Sequence, residues 1–184
     1  FAKGMSRNFN PTVLLLLAVT TIFSMYQETP ARRKRAAEPK PQLSATQSAA
    51  PEIAYTVSMT KPWTHLLEVE MRLKWATGPQ SVELKMPVWT PGSYLVREYA
   101  RHVQDLSVKA SSGGSIAWRK TKKNTWQVDA KGANDIVVSY RVYSNELTVR
   151  TNELNDDHGF WNNSALLFFP KDHLRAPSTV TVKP

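Results

Sequence analysis

The sequence contains no cysteine, so neither disulfide bonds nor thiolate metal ligands can contribute to its fold or its chemistry. Histidine is scarce, with four residues in the chain. No pair of histidines has the His-Glu-x-x-His spacing that places two zinc ligands on one helix face. We therefore assign no catalytic residue and no metal site to this chain, and we expect it to hold no cofactor and to have no peptidase activity by itself.

One stretch, Asp156-Asp157-His158, does combine two carboxylates with an imidazole. Adjacent residues rarely converge on one ion unless a loop wraps around it. We interpret this stretch as a solvated turn.

The sequence also lacks an apolar run long enough to span a bilayer, because the run from Val13 to Phe23 has eleven residues whereas a helix needs about 20. This length fits the apolar region of a secretory signal, and Arg7 precedes it after the expected start at Met5. We interpret residues 1–26 as a signal peptide and expect a periplasmic or extracellular protein. The alternative is an uncleaved N-terminal anchor, which is the only membrane contact we expect.

Acidic residues are too few to balance the 24 Lys and Arg, which gives a net charge of +9. The excess is concentrated before residue 51, where seven basic residues face two Glu, and the remainder has no basic stripe or groove-reading motif. We therefore expect no nucleic-acid partner. Residues 27–51, rich in Pro, Ala, Ser and Gln, are typical of a flexible, disordered linker.

After Pro51 the hydrophobic pattern acquires a period of two. From His65 to Trp75 the odd positions are mainly apolar and the even ones charged, which predicts a long half-buried strand. The same alternation predicts strands over 82–88 and 136–142, and β-forming residues between turn signals predict others near 53–59, 103–110, 115–119, 124–129, 165–169 and 178–183. Roughly nine strands with one apolar face each need a second sheet to cover them. We predict an all-β fold, an antiparallel β-sandwich over residues 52–184.

The densest group of functional side chains follows a predicted reversal. In Thr90-Pro91-Gly92-Ser93, proline supplies the fixed φ and glycine the positive φ of a type II turn. The eight residues from Tyr94 to Arg101 then contain two tyrosines, two arginines and a glutamate. Loop solubility alone does not require this density.

This segment, together with Thr148-Val149-Arg150 and Gly159-Phe160-Trp161-Asn162, resembles the N-terminal domain of the glycyl aminopeptidase family of zinc metallopeptidases. The resemblance covers about residues 52–184. It implies a longer gene product, of which this chain is a fragment, with a thermolysin-like catalytic domain after the sandwich. That domain would supply the zinc and its ligands, and it and a peptide substrate would be the partners of this chain.

The resemblance implies that the candidate substrate-binding or interdomain residues are Tyr94, Arg97, Glu98, Tyr99, Arg101, Trp161 and Asn162. Cations would complement peptide carboxylates, and a carboxylate would hold the substrate amine. The alternative is that an ion pair between Arg97 and Glu98 only braces the loop and that the aromatic residues only pack. A different function, a free-standing exported binding module for a carbohydrate or protein, stays open because six tryptophans are present.

Overall fold

The computed structural model describes residues 50–184, which form eleven strands, one short α-helix and two 3-10 helices. The predicted signal segment and most of the predicted linker lie outside the described residues. The strands are β1 (Glu52–Ser58), β2 (Leu66–Lys74), β3 (Val82–Lys85), β4 (Val103–Ala110), β5 (Trp118–Lys122), β6 (Thr125–Val128), β7 (Asp135–Tyr143), β8 (Glu153–Leu154), β9 (Gly159–Phe160), β10 (Phe169–Pro170) and β11 (Ser178–Lys183). The helix α1 spans Asn163–Leu166, and the 3-10 helices span Pro62–Thr64 and Tyr99–His102.

A five-stranded sheet in the order β11-β1-β2-β7-β4 forms one layer. Its centre is the antiparallel pair β2 and β7, whose register runs from Leu66 opposite Tyr143 to Lys74 opposite Asp135. Alternate residues of these strands are fully buried, including Met71 and Val138. The period of two in the sequence therefore corresponds to one covered and one solvated face.

The second layer is a four-stranded sheet in the order β10-β3-β6-β5. Its inward residues join those of the first sheet in a single hydrophobic cluster. At the centre of this cluster the ring of Phe168 lies 4.3 Å from that of Tyr140 on the first sheet and 4.6 Å from that of Trp126 on the second, measured between centroids. Aromatic packing of this kind joins the two layers.

The all-β sandwich predicted from the sequence is confirmed, with some differences in detail. The two additional strands, β8 and β9, have two residues each and pair with each other. The edge pair β1 and β11 is parallel, because the chain returns to this edge only after passing through the second sheet. The strand predicted over 165–169 is wrong for all but its last residue: Asn162 caps a helical turn by accepting from Ser164 N at 2.9 Å, and the strand begins at Phe169.

Strand directions bring several connections to one end of the sandwich. β2 starts, β7 ends and β4 starts at this end. Leu66 at the start of β2 pairs with Tyr143 at the end of β7, and Val103 at the start of β4 pairs with Val142 of β7. The segment between β3 and β4 and the turn between β5 and β6 reach the same end, because Lys85 pairs with Thr125. We call this the β4-start end. Within residues 50–184, no helix is long and apolar enough to cross a membrane.

Candidate functional site

The segment between β3 and β4 contains the predicted type II turn. Ser93 N donates to Thr90 O at 3.1 Å, and Gly92 has φ of 83°. This φ favours glycine, because a Cβ at the third position of a type II turn is strained. The turn predicted from the sequence is confirmed.

Three further hydrogen bonds close this segment into a compact loop. Arg97 N donates to Val88 O at 2.6 Å, Trp89 Nε1 donates to Ser93 O at 2.7 Å, and Ser93 Oγ donates to Leu95 O at 3.0 Å. Ser93 is buried, whereas Tyr94, Leu95 and Val96 are exposed. We call residues 87–98 the turn loop; its base is pinned and its tip presents apolar side chains to solvent.

A second loop, residues 144–152, lines the same cavities as the turn loop and the 3-10 helix that follows it. Thr151 Oγ1 donates to Glu146 O at 2.6 Å, which tightens the loop internally. The buried Asn152 fastens it to the region around α1, because its Nδ2 donates to Ala165 O at 3.0 Å and its Oδ1 accepts from Asn162 N at 3.0 Å. We call residues 144–152 the arginine loop, after Arg150.

The two loops enclose a cleft of about 300 Å³ at the β4-start end. The cleft is lined by four of the candidate substrate-binding residues predicted from the sequence. It is also lined by part of the segment 148–150, on which the family resemblance partly rests. The lining residues include Arg97, Glu98, Tyr99, Arg101, Thr148 and Arg150. A neighbouring cavity of about 250 Å³ shares Tyr99, His102, Glu146 and Thr151 with the cleft and adds Tyr143 and Ala165.

Glu98 makes an ion pair with Lys123 rather than with Arg97. Its Oε1 lies 2.6 Å from Lys123 Nζ in the turn between β5 and β6. The hydrogen bond from Lys123, with a smaller contribution from Arg101, holds the pKa of the Glu98 carboxyl below its usual value. The carboxylate is therefore ionised at neutral pH. The alternative predicted from the sequence was that Arg97 pairs with Glu98 and braces the loop. In the structure the partner of Glu98 is instead a lysine 25 residues away.

Two polar atoms of the cleft residues are covered and have no hydrogen-bond partner within residues 50–184. They are Arg97 Nε and Tyr99 Oη. An unpaired buried donor costs about 1–3 kcal/mol, so such atoms often mark a site where a partner arrives from elsewhere.

His102 borders both the cleft and its neighbouring cavity. Arg101 Nε donates to His102 Nε2 at 3.0 Å, which requires that ring nitrogen to be unprotonated. Burial and the positive charge of Arg101 lower the pKa of His102, and Glu146 opposes them. Both observations describe a neutral imidazole at neutral pH.

The other predicted residues have different positions. Tyr94 is 99% exposed at the tip of the turn loop and does not pack against the core, whereas Tyr99 is buried at the inner wall of the cleft. Asn162 caps α1 and its Nδ2 donates to Val149 O at 3.3 Å, so it positions the arginine loop from behind. Trp161 is partly buried against the core cluster and donates to Asn163 Oδ1 at 3.2 Å. Neither Trp161 nor Asn162 lines the cleft.

Sequence reasoning missed His102, Glu146 and Thr151 as cleft residues and Lys123 as the partner of Glu98. Nothing near Glu146 or Lys123 in the sequence signals such a role, because their proximity to the turn loop depends on strand pairing. In the sequence, His102 directly follows the charged segment from Tyr94 to Arg101, but no hydrogen-bond partner for its ring was identified there. The adjacent Arg101, which donates to His102 in the structure, was the one feature that could have indicated its role.

A wider cavity of about 380 Å³ lies beside β5 and contains none of the predicted residues. Two of its polar side chains pair with each other, since Arg119 donates to Gln127 Oε1 at 2.5 Å. We place the candidate site in the smaller cleft, because that cleft combines converging charges with unpaired polar atoms.

Residues 50–184 contain no group of three or more His, Cys, Asp or Glu side chains placed to hold a metal ion. In the turn at Asp156, Asn155 Oδ1 accepts from the backbone N–H groups of Asp157 and His158, both at 2.9 Å. This is an ordinary Asx turn with exposed carboxylates.

The profile of the peptidase M61 N-terminal domain matches residues 54–184. The structure of an aminopeptidase N family protein from Idiomarina loihiensis is 29% identical in sequence with a TM-score of 0.66, and the alignment covers 72% of this chain and 22% of that chain. An M1 zinc metallopeptidase from Deinococcus radiodurans is 15% identical with a TM-score of 0.35, covering 72% of this chain and 30% of that one.

No curated protein matches the chain. The chain spans about a fifth of the length of the Idiomarina protein. The resemblance to an N-terminal peptidase domain that the turn-loop motif indicated is confirmed by the family match.

Proposed function

Since this chain belongs to the family of peptidase M61 N-terminal domains, we propose that it is the substrate-facing accessory domain of an exported zinc aminopeptidase of the glycyl aminopeptidase type. The length of the Idiomarina protein, of which the chain covers 22%, supports a larger parent enzyme. In that parent a separate catalytic domain holds the zinc, which activates a water molecule for attack on the scissile carbonyl. The accessory domain helps to bind and orient the peptide.

The observation that carries this proposal is the cleft between the turn loop and the arginine loop. Two loops far apart in sequence place Arg97, Glu98 and Arg150 around one opening. Exposed apolar side chains stand on both loops, at Leu95 and Val96 and at Leu147 and Val149. Exposed apolar groups beside a charged cleft are typical of an interaction surface.

Glu98 is the residue on which the substrate role depends most. It is ionised, lies on the rim of the cleft and already holds one ammonium group, that of Lys123. A peptide amine is the same chemical group and would bind the second carboxylate oxygen. The cations of Arg97 and Arg101 would complement carboxylates of the same peptide.

The partners in this proposal are the catalytic domain of the same polypeptide and a peptide substrate, with no nucleic acid. The signal-like segment in the sequence supports export to the periplasm or the extracellular space. As an uncleaved anchor, this segment would provide the only membrane contact. The coding sequence beyond Pro184 tests the parent enzyme. A His-Glu-x-x-His helix within roughly two hundred residues is expected, and a stop codon directly after Pro184 would contradict the proposal.

Replacement of Glu98 in the parent enzyme tests the substrate role. Glu98→Ala should lower kcat/KM for a peptide substrate by at least about tenfold, because it removes a group that orients the amine. The melting temperature should stay close to that of the wild type, because the Glu98–Lys123 pair is exposed.

Lys123→Ala is the matched control. It breaks the same ion pair and leaves the Glu98 carboxylate in place, so kcat/KM should change by less than about threefold. If both variants lose activity equally, Glu98 only braces the turn loop, and the substrate role is wrong.

A further inference from the structure

Three arginines of the cleft have no acidic partner within residues 50–184. Arg97, Arg101 and Arg150 make no ion pair there, whereas Arg72 and Arg141 on the sheet are paired with Asp135 and Asp105. Unpaired guanidinium groups are ordinary on a protein surface. Three around one cleft are a feature that calls for an explanation.

Arg97 is the most constrained of the three. Its Nε is covered and unpaired, and its side chain donates no hydrogen bond within the described chain. Because its terminal nitrogens are not among the covered atoms, they are the part of the guanidinium open to a ligand. The two terminal nitrogens of a guanidinium present parallel donors, the geometry that matches a carboxylate.

The remaining charges do not neutralise these arginines. Glu98 is engaged by Lys123, and His102 is a neutral acceptor for Arg101, which leaves Glu146 as the one other acid among the described residues of the cleft and its neighbouring cavity. The three arginines and Lys123 therefore face two carboxylates, which leaves an excess of positive charge at the cleft. The neighbouring cavity, with Tyr99, Tyr143 and Ala165, offers a less polar surface next to this charge.

We propose that this cleft is a carboxylate-binding site, in which Arg97, Arg101 and Arg150 hold the C-terminal carboxylate of a short peptide or an acidic side chain near its N-terminus. The inference rests on the proposed function in taking a peptide as the ligand. A volume of about 300 Å³ is at the lower end for a ligand site, so it suits one or two residues and their terminal group. The parent peptidase would then prefer short peptides with a free carboxyl end, or peptides with Asp or Glu close to the amine.

Binding to the 184-residue chain tests this without any catalytic step. The probes are trialanine with a free carboxyl end, trialanine amide and Ala-Asp-Ala amide, titrated by calorimetry. Free trialanine should bind at least tenfold more tightly than its amide, which corresponds to about 1.4 kcal/mol. If Ala-Asp-Ala amide recovers the affinity, a side-chain carboxylate serves as well as the chain end.

Site-specific variants locate the binding. Arg150→Ala and Arg101→Ala should each weaken the binding of free trialanine by about fivefold or more, through loss of a charge-assisted hydrogen bond. Arg119→Ala, on β5 outside the cleft, is the matched control and should not change it. Arg97→Lys keeps a long cationic side chain at this position and removes the two parallel N–H donors. It therefore tests whether Arg97 binds the carboxylate through these donors.

Equal binding of free trialanine, trialanine amide and Ala-Asp-Ala amide would overturn the inference. Binding of inorganic phosphate or acetate as tight as that of the peptide would also overturn it, because it would indicate a general anion site. Loss of binding in Arg119→Ala equal to that in Arg150→Ala would also overturn it. This failure is distinguishable from failure of the proposed function, because the Glu98→Ala assay on the parent enzyme does not depend on the arginines.

Discussion

Two tyrosine hydroxyls attach the segment around Phe168 to the core. Tyr140 Oη donates to Leu166 O at 3.0 Å and accepts from Phe168 N at 3.2 Å. Tyr55 Oη donates to Phe168 O at 2.6 Å. Burial raises the pKa of Tyr55 to about 12 and that of Tyr140 further, so both hydroxyls stay protonated across the physiological range.

Tyr140→Phe should cost roughly 2–4 kcal/mol of unfolding free energy, because it leaves both a carbonyl and an N–H unpaired in the interior. Tyr55→Phe should cost roughly 1–2 kcal/mol, since one carbonyl loses its partner. Urea unfolding of both variants measures the two values. A larger loss in Tyr55→Phe than in Tyr140→Phe would contradict this account of the hydrogen bonds.

His102 should make the stability of the domain depend on pH. Its pKa is lowered in the folded chain by burial and by Arg101, against the opposing effect of Glu146, so the unfolded chain takes up a proton at higher pH than the folded chain does. Stability is therefore full above the ordinary histidine pKa and falls as the pH drops through it. His102→Gln should show a smaller loss of stability between pH 7.5 and 5.5 in urea unfolding; a loss equal to that of the wild type would show that His102 does not contribute.

At the scale of elements, the connection between β2 and β3 is fixed by a close backbone contact. Gly78 N donates to Asn134 Oδ1 at 2.6 Å, and a Cβ on Gly78 would lie 2.2 Å from Gly132 O and 2.5 Å from Ala133 C. Because these neighbours are backbone atoms, the contact cannot be relieved by a change of rotamer.

Gly78→Ala should therefore lower the unfolding free energy by roughly 2–3 kcal/mol, as overpacking does. Gly114→Ala is the matched control, since a Cβ there has nothing within 4 Å, and it should change stability by less than about 0.5 kcal/mol. Thermal unfolding compares the two variants. Equal melting temperatures would show that the loop moves freely.

The elements that could be predicted from the sequence are those whose residues repeat with the period of the structure. β2 and β7 alternate over nine residues each, so their existence and faces were predictable. The apolar run 165–169 has no such alternation, and its helical turn depends on the Asn162 cap and on the bond from Asn152. Short apolar runs of this kind do not distinguish helix from strand.

The candidate site was predictable only in part. The turn loop is predictable because Pro91, Gly92 and the charged residues that follow lie close together in the sequence. The pairing of Glu98 with Lys123 depends on where the turn between β5 and β6 lies, and local sequence contains no information about that. The same holds for the presence of Arg97 and Arg150 in one cleft.

At the scale of the whole molecule, the described domain has two unlike ends. The β4-start end carries the turn loop, the arginine loop, the cleft and the exposed Tyr94. The opposite end carries the connection between β4 and β5, with the exposed Ser112. Under the proposed function, the β4-start end faces the catalytic centre and the bound peptide of the parent peptidase.

Photo-crosslinking in the parent enzyme tests this claim most directly. A benzophenone amino acid replaces either Tyr94, which is 99% exposed, or Ser112 at the opposite end, and the enzyme is irradiated with a non-hydrolysable peptide analogue bound. Position 94 should crosslink to the peptide or to the catalytic domain beside its zinc ligands, and position 112 should not. Crosslinking to the catalytic domain from position 112 alone would show that the opposite end faces the active site.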